Sequence, residues 1–379
     1  MKLVIYSVVL NHHQAPVADE LYNLLGEDFR FVELVAQDDL KGATDDLSNR
    51  PYLIKAWASE EQYALSMSCT VSADCCIFSG VASLPFMRER LKLGLLSLDM
   101  GERWLKQGLK NVLSPAILKM TLAYHLNGWK NKPLYRLCMS AFAATDHAKL
   151  GMYKGRCYKW GYFTSVPKVA SDGPTRFQRV PVSTTRLMWC ARFIDWKHPE
   201  LPILLAKMLK NNGYKFQLAM YGDGVLRKKI ELLARESGLD DCVHFSGNVP
   251  NYIIHQTMRE SDIFLFTSDH EEGWGAVANE AMSEGCLLIG SDEIGAIPYL
   301  VEDGRNGLIF KSKDINSIYH KVVWAIDHPK ESIAIRKSAM KTMQEIWSPK
   351  NAARSLLHLI NDLSNGRDTS IKEGPGSKA

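Results

Sequence analysis

Two carboxylates, Glu272 and Glu280, stand eight residues apart in the run Thr267-Ser268-Asp269-His270-Glu271-Glu272-Gly273-Trp274-Gly275-Ala276-Val277-Ala278-Asn279-Glu280-Ala281-Met282. Eight residues is about two helical turns, so both acids can face one cleft. Gly273 and Gly275 let the main chain come close to a bound group. A cationic pair, Arg192 and Lys197, sits in Cys190-Ala191-Arg192-Phe193-Ile194-Asp195-Trp196-Lys197. A guanidinium can fork onto two phosphate oxygens, and an ammonium adds a point charge.

The flanking sequence says how such groups are positioned. Asp262 to Phe266 is an apolar run that reads as a buried strand, and Cys286 to Gly290 is another. Ala276 to Glu284 between them reads as a helix. Strand, loop, helix, strand is the unit of a parallel sheet. Its loop lies at the carboxyl end of a strand, where open α/β sheets bind ligands.

In register with these elements, Glu272-Gly273-Trp274-Gly275 and Glu280-Ala281-Met282 resemble the donor-site signature of the retaining glycosyltransferases of family four, glycosyl transferases group 1. The strand Cys286 to Gly290 and the loop Ile294-Gly295-Ala296-Ile297-Pro298 continue that pattern. The family carries an Arg and a Lys spaced as Arg192 and Lys197 are; here Ala191 and His198 replace its two flanking glycines. Tyr221-Gly222-Asp223-Gly224 resembles the family's Gly-Asp-Gly turn, and Ser246-Gly247-Asn248-Val249 its base-contacting loop.

The resemblance implies a GT-B fold: two Rossmann-like α/β domains facing a cleft, with a C-terminal helix crossing back to the first. It implies transfer of a sugar from a nucleotide donor with retention of configuration. Arg192, Lys197 and Glu272 would act at the reacting bond. Gly222, Asn248, Val249, Gly273, Trp274, Gly275 and Glu280 would bind the donor, with Glu280 on the ribose hydroxyls and Glu272 on the sugar. Negative charge builds on the leaving diphosphate, so cations and oriented N–H groups are what the chemistry requires. In the front-face mechanism usually assigned to such enzymes, the leaving phosphate accepts the acceptor's proton. No general base is then expected. No His/Cys/Asp cluster argues for a bound metal, the resemblance implies none, and no other cofactor is expected, since the nucleotide-sugar is a substrate.

The chain has 379 residues, 46% hydrophobic and 23% charged, which suits a two-domain α/β protein. No stretch is continuously apolar for a membrane span. Met1 to Tyr6 reads as the first strand, because Asn11-His12-His13-Gln14 interrupts any signal-peptide pattern. The eight cysteines are scattered and read as free thiols in a reducing cytosol. Net charge is only +4, yet Phe86 to Arg136 holds ten basic and three acidic residues. That asymmetry suggests an anionic partner surface. Within it, Arg103 to Lys132 mixes Leu, Ile, Val and Trp with lysines, and Ser114-Pro115 breaks it into two helical pieces. Such a segment can lie on a membrane or pack its apolar face inward.

Strands are expected at 2–10, 29–35, 52–57, 73–78, 93–98 and 134–141, and again at 187–191, 215–221 and 242–245. Expected boundaries are a first domain over 1–170, a second over 171–346, a crossover helix over 347–364 and a disordered tail over 365–379. Pro167, Pro174 and Pro181 mark a linker between Val166 and Arg186. His12, His13, Asp99, Glu102 and Asp146, with His147, fall near expected strand ends of the first domain and are its acceptor-side candidates. A structural role is as open for each; Asp146 could be a helix N-cap. The family often has a His where this chain has Asp99 and Glu102.

These expectations converge on a cytoplasmic glycosyltransferase, at the inner face of the membrane or free of it. Its expected acceptor is a lipid-linked glycan, in the assembly of a bacterial capsule, O-antigen or exopolysaccharide. The alternatives are a same-fold synthase with a soluble sugar or sugar-phosphate acceptor, and a non-catalytic scaffold that binds nucleotide-sugars. No nucleic-acid partner is expected.

Overall fold

The computed structural model describes residues 1–36, 47, 49–167 and 184–379. It divides into two compact units, Met1–Ser165 with Ile346–Ala379, and Val166–Glu345. Most of the expected linker, and the boundary at residue 170, lie outside the described residues.

Among the described residues the first unit is built on seven parallel strands: β1 (Leu3–Ser7), β2 (Phe29–Glu33), β3 (Leu53–Lys55), β4 (Cys75–Ser79), β5 (Ser97–Gly101), β6 (Leu134–Cys138) and β7 (Cys157–Lys159). Their order is β3-β2-β1-β4-β5-β6-β7. Its helices are α1 (Ala15–Leu25), α2 (Glu60–Ser72), α3 (Leu84–Lys92), α4 (Pro115–Leu126) and α5 (Ala143–Lys149). Every residue of β1 is buried, which is why a parallel strand covered on both faces reads as an unbroken apolar run. Tyr6 stacks on Phe78 at 5.1 Å and on Phe86 at 5.0 Å. Arg90 is fully buried and donates to the carbonyls of Thr70, Ala73, Asp74 and Leu96. It thereby satisfies carbonyls at the end of α2 that helix geometry leaves unpaired.

The hold of Arg90 on Leu96, and the left-handed Gly94 (φ +69°), keep 93–96 out of the strand. β5 therefore starts later than the apolar pattern suggested, and Asp99 lies in its interior.

The second unit has six parallel strands among the described residues: β8 (Thr185–Cys190), β9 (Phe216–Tyr221), β10 (Val243–Gly247), β11 (Ile263–Phe266), β12 (Leu287–Ser291) and β13 (Leu308–Phe310). Their order is β10-β9-β8-β11-β12-β13. The helices are α6 (Glu200–Asn211), α7 (Arg227–Glu236), α8 (Asn251–Glu260), α9 (Val277–Ser283), α10 (Ile297–Leu300), α11 (Ile315–Asp327) and α12 (Pro329–Glu345). β8 and β11 are neighbours in register Ile263 to Leu187. Their carboxyl ends put Arg192, Lys197 and Glu272 on one edge of this sheet.

After α12 the chain returns to the first unit as α13 (Pro349–Ser364), capped by Ser348, whose hydroxyl accepts from Asn351 N at 3.2 Å. α13 packs against α1. The tail 365–379 is not the disordered segment its polar composition suggested. Gly376 N donates to Lys159 O at 2.8 Å and Lys159 N to Ser377 O at 2.7 Å, so the tail pairs with β7. Tyr158 donates to Asp368 at 2.9 Å, and Ser377 is buried. Backbone pairing with an edge strand outweighs the low hydrophobicity that argued for disorder.

Candidate functional site

The loop after β11 is shaped by its glycines and by the turn after β8. At Gly275 (φ +91°) a Cβ would stand 2.4 Å from Phe266 Cζ. At Gly222 (φ +113°) a Cβ would stand 2.1 Å from the Ala191 carbonyl, so both positions require glycine. The Thr267 hydroxyl donates to Lys197 O at 2.7 Å and accepts from Trp189 Nε1 at 2.9 Å. Asp269 N donates to Trp196 O at 3.0 Å. These bonds fasten the turn carrying Lys197 to the loop carrying Glu272.

Lys197 is ion-paired with Glu272, both nearly buried at 12% and 11% side-chain exposure. Its ammonium stands 4.2 Å from the Trp196 ring centroid. Burial pulls the Lys197 amine below its usual range although Glu272 opposes it. Arg192 is exposed, with its guanidinium 5.6 Å from the centroid of the same Trp196 ring. Glu280, in α9, is buried, and burial pushes its carboxyl up to about 7, with Glu284 adding to the rise and His255 opposing it. Burial pushes the Cys190 thiol at the end of β8 up, with Glu280 adding to the rise and Lys197 opposing it, so both charges lie within electrostatic reach of that strand end.

The structure separates the remaining donor-side candidates. Gly273 is buried, Asn248 exposed and Val249 half-buried. Trp274 leaves only its main chain for the donor. Its side chain is fully buried, donating Nε1–H to Asn279 at 2.9 Å and packing edge-on to Tyr299, so it holds the loop from within. An aromatic in a Gly-Trp-Gly motif cannot be sorted into platform or core by sequence, because both uses want a large flat ring.

Pattern reading missed Asp269, His198 and Lys313. Asp269 is buried and accepts from His198 Nε2 at 3.0 Å, Lys313 Nζ at 2.9 Å and Glu271 N at 3.0 Å. His198 also meets Glu200 at 2.9 Å through Nδ1. Burial works against a charged imidazole there, but the two carboxylates outweigh it and hold His198 above its usual pKa. The signal available in sequence was His198 itself, standing where the family has a glycine.

In the first unit a cavity of about 530 Å³ is lined by polar residues including Asn11, Gln14, Glu102, Lys106 and Tyr162, and by apolar ones including Ile117 and Met120 of α4. Glu102 belongs to it, paired with Lys106 at 2.9 Å. Asp99 borders it but is committed elsewhere: it pairs with Arg136 at 2.6 Å and accepts from Tyr153 at 2.7 Å, all three buried. Asp146 is not an N-cap; Phe142 holds that position. Buried, it grips Arg103 at 3.2 Å and the Leu105 amide at 2.9 Å. The rings of His12 and His13 have centroids 3.8 Å apart and are tilted 50° to each other. Burial lowers His13 to about 3, with His12 adding to it, so it is a neutral ring at physiological pH. His147 is buried and kept neutral by burial and by Arg136. Arg90 and Arg136 are buried and Arg103 is engaged by Asp146, so the basic excess between residues 86 and 136 overstates what faces solvent.

Among the described residues, no cluster of three or more His, Cys, Asp or Glu could hold a metal ion. No helix there is long and apolar enough to cross a membrane.

Residues 178–342 match the family model of glycosyl transferases group 1. A glycosyltransferase assigned to colanic acid biosynthesis in Salmonella typhimurium is 24% identical over 195 residues, 50% of this chain and 48% of the relative. The amylovoran biosynthesis glycosyltransferase of Erwinia amylovora is 28% identical over 184 residues, 47% of this chain and 45% of the relative. The chain thus spans about half the length of these curated relatives. The structure of Anabaena HepE in complex with UDP and glucose superposes with TM-score 0.69 at 13% identity, covering 96% of this chain and all of that one. Residues 178–342 thus resemble the glycosyl transferases group 1 family, and the chain as a whole has the GT-B fold.

Proposed function

We propose that this protein transfers a sugar, with retention, from a nucleotide-sugar held by the second unit to a lipid-linked glycan held by the first, in the assembly of a bacterial surface polysaccharide. The observation that carries this reading is the buried Lys197–Glu272 pair at the strand ends where Glu280 and Arg192 also stand. In it, Arg192 and Lys197 take the charge that grows on the leaving diphosphate. Glu272 orients the donor sugar, and Glu280 accepts hydrogen bonds from the ribose. Gly222, Asn248 and Val249 lie along the base and phosphates, and the N–H groups of Gly273 to Gly275 face the sugar and phosphate. The leaving phosphate oxygen takes the acceptor's proton, and no metal has a part. The cavity beside Glu102 receives the acceptor. The relatives' roles in colanic acid and amylovoran biosynthesis support the polysaccharide context, and the UDP bound by the Anabaena structure favours a uridine nucleotide. The test is turnover of UDP-, GDP- and ADP-sugars with lipid-extracted acceptors, followed by the anomeric configuration of the product. Binding of all three nucleotides without any turnover would favour the scaffold reading.

Glu280 gives this reading a pH signature. A carboxylate accepts two ribose bonds, a carboxylic acid fewer. With its pKa raised to about 7, Glu280 passes from mostly ionised to mostly protonated between roughly pH 8 and pH 6. Affinity for a nucleoside diphosphate is expected to fall toward acid through that window. Calorimetric titration of Glu280→Gln should show a flatter pH profile than wild type; parallel profiles would remove Glu280 from the ribose.

A peripheral position on the cytoplasmic membrane face fits the surface of α4 and the turn before it. Leu109, Leu113 and Leu126 are 68%, 84% and 76% exposed, with Leu118 and Leu122 also outward, among the exposed Lys110 and Lys119. Apolar side chains ringed by lysines suit an anionic bilayer, each lysine contributing about 1 kcal/mol near its surface. Wild-type protein is expected to sediment with phosphatidylglycerol liposomes at low salt, and Leu113→Asp with Lys110→Glu and Lys119→Glu to abolish this while nucleotide binding persists. A wild-type protein that ignores such liposomes would favour the soluble-acceptor reading.

A further inference from the structure

His198 and Lys313, which with Tyr153 of the first unit are the described residues bearing a Cβ in the left-handed region, are held at φ +49° and +62°. The conformation is costly for any residue but glycine, and it persists only where surrounding structure compels it. They lie far apart in sequence, one after β8 and one after β13. Yet both side chains end on one oxygen, Asp269 Oδ2, His198 at 3.0 Å and Lys313 at 2.9 Å. The other oxygen, Oδ1, accepts the Glu271 amide at 3.0 Å, and the Asp269 carbonyl accepts the Glu272 amide at 3.0 Å. Asp269 is nearly buried at 5% exposure, so its bonds are poorly screened. Glu200, through His198, closes the cluster from α6, while His270 and Glu293 stand at its outer side.

We propose that Asp269, clamped by His198 and Lys313, is the positioning residue that sets the turn presenting Glu272 to the donor sugar. The proposal rests on the reading of Glu272 as a donor-sugar contact. Asp269 touches no reacting atom itself. It fixes the two amides that precede and begin the Glu272 turn, and His198 and Lys313 keep its carboxylate from rotating. Backbone strain at two separate places is the cost of reaching that carboxylate. Glycine at either position would relieve the strain and lose the clamp. The turn carrying Lys197 has bonds of its own to the Thr267 hydroxyl and to the Asp269 amide, neither of which uses the clamped carboxylate, so loss of the clamp falls first on Glu272.

The double variant His198→Gly/Lys313→Gly tests this, because it relaxes both backbones while removing both contacts. UDP-glucose, GDP-mannose and ADP-glucose serve as probes, and the one turned over fastest by wild type is used. Misplacing a contact group by about 1 Å can cost about 100-fold. The expected result is a kcat at least about 10-fold lower with the dissociation constant of the matching nucleoside diphosphate within about 3-fold of wild type. An unchanged kcat overturns the proposal. So does a parallel loss of nucleotide binding, which a general loosening of the unit would produce. Should the double variant lose its cooperative thermal transition, the single His198→Gly variant is read by the same two criteria. Glu272→Gln is measured alongside: if it too keeps full turnover, the reading of the donor site fails, whereas a slow Glu272→Gln beside a fast double variant overturns the clamp alone.

Discussion

Lys197→Ala is expected to slow sugar transfer by about 100-fold and to weaken binding of the nucleoside diphosphate. The Lys197 side chain is 12% exposed, and its ammonium is anchored over Trp196. Burial already disfavours its charge, and Glu272 compensates only in part. An incoming diphosphate therefore meets a cation that has lost most of its water, and the bond it forms is charge-assisted. Such bonds contribute about 1.5–3 kcal/mol, or roughly 10- to 150-fold in a rate or binding constant. The deletion also leaves the Glu272 carboxylate without its partner. Arg192→Ala is expected to cost less, because Arg192 is exposed and water and salt screen it. Steady-state kinetics with calorimetric nucleotide titration checks both. Lys197→Ala within about 2-fold of wild type in both measurements would remove the cation from the reaction.

Much of the donor side was legible because its parts are local in sequence. The apolar runs either side of Glu272 appear as β11 and β12, and the helix between them as α9. The glycines that sequence singled out at 222 and 275 prove sterically obligatory. What stayed hidden depends on distant partners. Asp269 looked like filler in a polar loop, and only the fold brings Lys313 to it. The burial of the Trp274 ring was equally hidden, because a motif gives a ring its position but not the side on which it packs.

The first unit was legible as an alternating α/β layout and poorly legible as a site. Its candidate residues were chosen by nearness to strand ends, and a shift of a few residues in β5 moved Asp99 from an exposed end to a strand interior. The tail was misjudged because composition cannot register that β7 leaves an edge for it to pair with.

Asp99→Ala is accordingly expected to act on folding, not on chemistry. Asp99 and Arg136 are 5% and 2% exposed in their side chains, so solvent does little to screen the pair. Tyr153 donates to the same carboxylate, and an orphaned guanidinium and phenol would remain in the core. Burial opposes the Arg136 charge, and Asp99, with Tyr153 and Cys138 beside it, more than restores it. Breaking such a pair by removing one partner costs about 3–5 kcal/mol. Urea unfolding of Asp99→Ala should show the loss directly, with Asp99→Asn retaining part of the stability because its amide oxygen can still accept. If Asp99→Ala were as stable as wild type but inactive, Asp99 would belong to the acceptor chemistry after all.

The central claim, that the second unit holds a nucleotide-sugar between the Lys197–Glu272 pair and Glu280, is tested most directly by titrating UDP, GDP and ADP into wild type, Glu280→Gln and Glu272→Gln at about pH 8, where Glu280 is mostly ionised. The account predicts that one nucleotide binds wild type, that Glu280→Gln weakens it about 10-fold or more, and that Glu272→Gln leaves it nearly unchanged while slowing turnover of the matching sugar. Equal affinities in wild type and Glu280→Gln, or no binding of any of the three to wild type, would contradict it.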